Sequence, residues 1–280
     1  MGRAVRPLRG VGCAAVGVPD REPRVAAAPR AHDVPRAFDR ALGRRVNGGV
    51  DVARNLAAIH DRIAAACTRA GRPPTAVDLL AVSKTHPLAA VRIAHAAGQR
   101  HFGENRVQEL AAKAAEARAA GDLPDLRWHL IGSLQTNKVR DLLAVPGLEL
   151  VHSLDRVRLA DELQKELHGT GRRLPVLLQI HATDEPTKHG CPPADAAALL
   201  DHVLVRCPNL SVQGVMAMGP QQGDPAPTFA RVQSLAAELR RRSGQPLPIL
   251  SLGMSDDMEL AVAAGSTLVR IGSAVFGARG

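Results

Sequence analysis

Lys84 follows the apolar run Leu79-Leu80-Ala81-Val82 directly, in the stretch Ser83-Lys84-Thr85. An amine delivered by an apolar strand to a desolvated position loses basicity and becomes a nucleophile. A lone lysine at a strand end is more often a solvated charge, so its neighbours decide. Gly253-Met254-Ser255-Asp256-Asp257-Met258 follows the run Ile249–Leu252, and Gly272-Ser273 follows Thr267–Ile271, which contains Arg270. Glycines and hydroxyls at helix starts leave backbone N–H groups free and build an anion site. Ordinary capping by Ser255 or Asp256 is the alternative. Phe102-Gly103-Glu104-Asn105 adds a carboxyl and an amide, both read as reaching the same opening; Asn105 also suits the N-cap of a following helix.

These groups need elements to bring them together. Apolar runs at 79–82, 99–102, 128–131, 148–152, 175–180, 212–218, 249–252 and 267–271 alternate with helical stretches. The helices are expected near 89–97, 105–120, 136–144, 155–168, 193–205, 226–242 and 256–264. An amphipathic helix over 50–71 precedes them, with Val52, Leu56, Ile59, Ile63 and Ala66 on one stripe. Eight strands alternating with helices predict an α/β fold, a single (β/α)8 TIM-type barrel of parallel strands. An open doubly wound sheet is the runner-up; it more often carries a glycine-rich fingerprint after its first strand, where Ser83-Lys84-Thr85 stands instead. Trp128 suits the core as well as the site. The polar ends of strands four and five offer His152-Ser153 and Gln179-Ile180-His181.

Functional groups of such a barrel sit at the carboxyl ends of its strands, with phosphate sites frequent after strands seven and eight. Closure makes strands one and eight neighbours. One lysine beside a phosphate cradle fits a phosphorylated aldehyde that bonds to an amine, namely pyridoxal 5′-phosphate (PLP).

The runs Ala81–Thr85, Phe102–Asn105, Trp128–Gly132, Leu250–Met258 and Val269–Ser273 closely resemble the pyridoxal phosphate homeostasis proteins, in register and in order over about residues 50–279. The resemblance implies a PLP barrel related to the N-terminal domain of alanine racemase. It implies Lys84 as the Schiff-base lysine and Asn105 as a cofactor neighbour. Ser255, Gly272 and Ser273 are implied as phosphate contacts, and Arg270 as the partner of the pyridine nitrogen. It implies a cytoplasmic role in PLP homeostasis, as carrier or buffer, with PLP-dependent apoenzymes as acceptors. Four positions depart from the family pattern: His86 replaces a second lysine, Arg106 a tyrosine, His181 an asparagine, and Lys188-His189-Gly190 a Lys-Ser-Gly.

Composition narrows the rest. Aromatic residues make up 2% of the chain and tyrosine is absent, so the core is aliphatic and phenol acid–base chemistry is excluded. A PLP-dependent racemase, the competing enzyme reading, needs a second base across the cofactor, typically a tyrosine. The formal charge of +9 suggests nucleic acid, but residues 1–46 carry ten arginines and four acids, a net of +6. The basic excess therefore belongs to the tail, and no basic stripe with interleaved aromatics follows it, so nucleic-acid partners are not expected. Cys13, Cys67, Cys191 and Cys207 lack zinc spacing and read as reduced thiols, and no metal is expected. No apolar stretch is long enough to span a membrane. A monomer is expected, divided into a disordered basic extension over 1–46 and a PLP-binding barrel over 47–280. Truncation at Asn47 should leave PLP affinity and melting temperature nearly unchanged; a loss above about 1 kcal/mol in denaturant titrations means that the extension packs on the barrel.

Overall fold

The computed structural model describes residues 50–277 apart from 184 and 186–188, together with the backbone of Arg45–Val46. The extension expected over 1–46 otherwise lies outside the described residues, as does Lys188. Eight parallel strands close into a barrel. They are β1 (Asp78–Val82), β2 (His101–Glu104), β3 (Arg127–Leu130), β4 (Leu148–Leu154), β5 (Leu174–Ile180), β6 (Leu210–Ala217), β7 (Ile249–Ser251) and β8 (Leu268–Ile271). β8 lies between β7 and β1, with Leu268 opposite Ser251 and Ile271 opposite Ala81. The (β/α)8 expectation is borne out, and the open sheet is not.

The helices are α1 (Val52–Arg69), α2 (Leu88–Ala96), α3 (Val107–Ala120), α4 (Val139–Leu143), α5 (Val157–Leu167), α6 (Ala196–Arg206), α7 (Ala226–Ser243), α8 (Met258–Ala263) and α9 (Ser273–Phe276). Val52, Leu56, Ile59, Ile63 and Ala66 of α1 are all buried, as their spacing predicts. Asp51 caps this helix by accepting the Arg54 N–H. Just before it, Arg45–Val46 pairs antiparallel with Val50–Asp51, so regular structure begins ahead of the expected helix. None of the described helices is long and apolar enough to cross a membrane.

Side-chain alternation sorts each strand into two faces. Outward residues such as Leu79, Ala81, Phe102, Trp128, Leu130, Val269 and Ile271 join the helices in one large core. Inside the barrel, Leu150, Leu177 and Met216 form a separate small cluster with Ile249 against it. Leu80 also faces the interior, which it shares with the polar side chains of His129, His152, Gln179, Ser251 and Arg270.

Several boundaries shift from their expected places. The second strand runs two residues later than 99–102, because Gly103 belongs to it. Gly103 pairs with Val82 and His129. Its missing side chain leaves room for Leu80 and Ile131, since a Cβ there would stand 3.1 Å from Leu80 Cδ2. Gln99 is instead a buried turn residue whose amide donates to the carbonyls of Leu79 and His101. The helices expected from 136 and 193 each begin with a 3-10 turn, Thr136–Lys138 and Pro193–Asp195. The four-residue α9 carries no sequence signal beyond Gly272-Ser273.

Candidate functional site

Lys84 lies two residues past the end of β1, half-buried at the mouth of the barrel. The peptide groups beside it are clamped from α3. Lys113 Nζ donates to the Ser83 carbonyl at 2.8 Å, to Glu104 Oε1 at 2.7 Å and to Glu109 Oε1 at 2.8 Å. Ser83 Oγ donates to Glu104 Oε1 at 2.7 Å, and the Thr85 N–H donates to Glu109 Oε1 at 2.6 Å. Thr85 sits at φ +66°, a left-handed conformation that a threonine holds only when its surroundings impose it. Glu109 and Lys113 are four residues apart and share one helix face.

Glu104 therefore does not reach the opening, contrary to its sequence reading. His101 and Gly103 face the axis, so Phe102 and Glu104 face the helices. Burial pushes the Glu104 carboxyl above its ordinary value, against the pull of Lys113. Burial also pushes Glu109 up, but the hydrogen bonds from Lys113 and Thr85 outweigh it and hold that carboxyl low. Glu109 and Lys113 were not singled out in the sequence. Only the pairing of β1 with β2 beneath α3 turns an i,i+4 pair into a clamp.

On β8, the strand beside β1, Arg270 is buried inside the barrel. One guanidinium nitrogen donates to the Ser251 carbonyl at 2.7 Å and to Ser251 Oγ at 2.8 Å; the other donates to the Ala217 carbonyl at 2.9 Å. No carboxylate among the described residues forms an ion pair with it. Pairing with Glu104, the alternative role for this arginine, does not occur. Burial lowers its pKa to about 10, with Asp257 acting the other way, so it remains cationic at neutral pH.

Ser255 and Ser273 come together, their hydroxyls 3.2 Å apart. A Cβ on Gly272 would stand 3.2 Å from the Val82 carbonyl, so the end of β8 lies against the end of β1. Neither Ser255 nor Asp256 caps α8. Asp257 holds that position, and its carboxylate accepts the Met254 N–H at 2.6 Å. Gly253 before it has φ +92°, and a Cβ there would lie 2.6 Å from that of Ala261.

Asn105 does not cap α3; Arg106 takes that place with no side-chain bond. The Asn105 carbonyl lies so close to Gly132 that a Cβ there would approach it to 2.2 Å, which explains the glycine after β3. Trp128 belongs to the helix layer, with its ring 6.0 Å from Phe102. His86 is buried with its ring 5.1 Å from Phe276 of α9, and Arg106 is exposed. His181 Nε2 lies 3.0 Å from the Glu185 carbonyl, and the His189 carbonyl accepts from Gln179. Cys67, Cys191 and Cys207 are buried free thiols, and burial pushes Cys191 up to about 11.

Three axis-facing histidines form a chain that the sequence did not announce: His101 Nδ1 lies 2.9 Å from His129 Nε2, and His129 Nδ1 lies 3.0 Å from His152 Nε2. Their alternate-face positions on adjacent strands were legible, but the stagger that joins them was not. His152 Nδ1, Ser153 Oγ and Gln179 Oε1 are buried with no hydrogen-bond partner.

Residues 54–280 match the family model of the alanine racemase N-terminal domain. The chain is 45% identical over 233 residues to the pyridoxal phosphate homeostasis protein of Pseudomonas aeruginosa, covering 81% of this chain and 96% of that protein. This chain belongs to the pyridoxal phosphate homeostasis proteins. The human relative of that name is 41% identical over 234 residues, covering 80% of this chain and 85% of its own. PipY of Synechococcus elongatus, solved with PLP bound, is 42% identical, with a TM-score of 0.69 over 81% of this chain and 100% of that one. Alanine racemase of Corynebacterium glutamicum, at 16% identity and a TM-score of 0.60 over 80% of this chain and 62% of that one, shares the fold. The curated relatives are named as homeostasis proteins rather than as enzymes.

Replacing Lys113 with Met should cost about 3–5 kcal/mol in denaturant titrations at pH 7.5, because Glu104 is left buried and uncompensated. The orphaned carboxyl has a folded-state pKa above its unfolded value, so the folded state binds the extra proton. The deficit should therefore shrink as the pH falls toward 5. A deficit that is constant between these pH values means that Glu104 does not carry it.

Proposed function

We propose that this protein binds PLP covalently through Lys84 and serves as a carrier or buffer of the cofactor, supplying PLP-dependent apoenzymes without turning over a substrate of its own. The observation that carries this reading is Arg270: a buried cation held by Ser251 and Ala217, with no carboxylate paired to it among the described residues, on the strand beside the one that leads to Lys84. The donor set fits the cofactor. Lys84 offers an amine, and the converging Ser255 and Ser273 hydroxyls with Gly272 suit a phosphate. Asn105 is assigned to the cofactor's surroundings. The relative solved with PLP bound supports PLP as the ligand. The binding unit is the barrel over 47–280, as a monomer in the cytoplasm, with residues 1–46 taking no part.

When bound, PLP supplies an aldehyde for an amine and a ring that draws electrons from what is attached to it. The chain's own residues set the limits on that chemistry. The Glu104–Lys113–Glu109 cluster fixes the backbone on both sides of Lys84. Arg270, cationic at neutral pH, disfavours a proton on a ring nitrogen placed beside it, which weakens the ring as an electron sink. A racemase-like enzyme remains the alternative; the missing tyrosine argues against it.

Borohydride treatment of the PLP-loaded protein should fix the cofactor to the peptide containing Lys84. Reduced cofactor on another lysine, or a protein that takes up no PLP, refutes the assignment. Replacing Arg270 with Glu should weaken PLP retention while raising exchange of amino-acid α-protons per bound cofactor. If retention, spectrum and exchange all match the parent, Arg270 does not face the ring.

A further inference from the structure

The chain His101–His129–His152 climbs the barrel from floor to mouth. His101 is the first residue of β2, half-buried at the amino-terminal end of the strands. His129 and His152 are buried on β3 and β4. Both links are ring nitrogen to ring nitrogen, at 2.9 and 3.0 Å.

Two such links constrain where the protons are. A neutral imidazole carries one N–H, and each link needs one proton between its two nitrogens. If His129 is protonated on Nε2, it donates to His101 Nδ1, and its own Nδ1 accepts from His152 Nε2. All three rings are then Nε2–H. If His129 is protonated on Nδ1, all three are Nδ1–H. No mixed arrangement of neutral rings makes both bonds.

The buried end at His152 decides between these polarities. His152 Nδ1 is buried and has no hydrogen-bond partner. The charge acting on that ring is Arg270. A lone pair is favoured in this field, and an N–H is disfavoured. At the floor, Arg127 of β3 is the charge that acts on His101 most strongly, and Asp78 of β1 and Glu149 of β4 act against it, with Arg127 itself paired with Glu149. These charges oppose one another, so the buried end at His152 sets the polarity, and it selects Nε2–H.

We propose that His101, His129 and His152 form a chain of neutral imidazoles with a single polarity, Nε2–H throughout, which presents a lone pair toward Arg270 and provides a proton path between the mouth and the floor. A proton reaching His152 Nδ1 releases the Nε2 proton of His152 to His129 Nδ1. His129 passes its Nε2 proton to His101 Nδ1, and His101 releases its Nε2 proton to water. Each ring gains one proton and loses one, so no imidazolium accumulates in the barrel. Return transfer along the same links restores the starting polarity, and Arg270 favours it. His152 is linked to Arg270 by charge alone, so these are positioning residues. Only their relevance to a ring nitrogen rests on the reading of Arg270 proposed above.

The test needs no cofactor. Long-range 15N–1H correlation spectra of the PLP-free protein at pH 7 should show three neutral imidazoles, each protonated on Nε2. Any Nδ1–H tautomer or imidazolium among them overturns the proposal. The path is tested with His101→Phe, which closes the floor end. Solvent exchange of the His129 and His152 ring protons should slow by about tenfold or more. Unchanged exchange in a folded variant overturns the path. If the variant does not fold, the parent spectra still decide the polarity. Borohydride mapping to Lys84 is a separate readout, so failure there leaves this result standing.

Discussion

The alternation of side chains along strands that close into a ring is the constraint on which the rest depends. Each barrel strand has one face for the axis and one for the helices, and no residue can serve both. Ser83 and Glu104 fall on the helix side, where Lys113 meets them. Arg270 and the three histidines fall on the axis side, where the aliphatic cluster of Leu150, Leu177 and Met216 fills only part of the space. The closed ring thus separates two polar systems by the thickness of one strand. One system holds a lysine-bearing loop from behind, and the other lines the space in front of it.

Both systems bury charge, and they stabilise it differently. Lys113 is surrounded by two carboxylates and a carbonyl, so its charge is matched locally. Such a group is costly to break and contributes little beyond a well-packed apolar alternative. Its retention fits a positional role: it holds Thr85 in a left-handed conformation beside Lys84. Arg270 is instead held by uncharged oxygens of Ser251 and Ala217. Hydrogen bonds meet part of its need, and its charge stays uncompensated within the described residues. An unmatched cation of this kind is a demand that the fold places on whatever enters the mouth.

The architecture was legible because apolar runs and amphipathic stretches alternate eight times, and closure followed from that count. Most strand ends were legible to within a residue or so, although the fourth strand runs on to Leu154. Gly103 misplaced the second strand because propensity disfavours glycine there, whereas pairing on both sides requires it. The loops of Ser255 and Ser273 were read as parts of one anion site, and the two hydroxyls meet. Glu104 was read one face wrong, since a strand begun at 99 does not reveal where the alternation falls at 104. The clamp and the histidine chain stayed invisible for a common reason. Each depends on stagger between neighbouring strands or on a helix laid over a particular pair, and neither quantity is written in local spacing.

Trp128 is the only tryptophan, tyrosine is absent, and the indole is buried beside Phe102 on the outer face of β3. The strand residue after it, His129, faces the axis in the middle of the histidine chain. The near-ultraviolet emission of this protein therefore comes from one chromophore at one address. It is sealed from solvent quenchers and one peptide bond from the polar interior. Its emission reports on the barrel wall without a label.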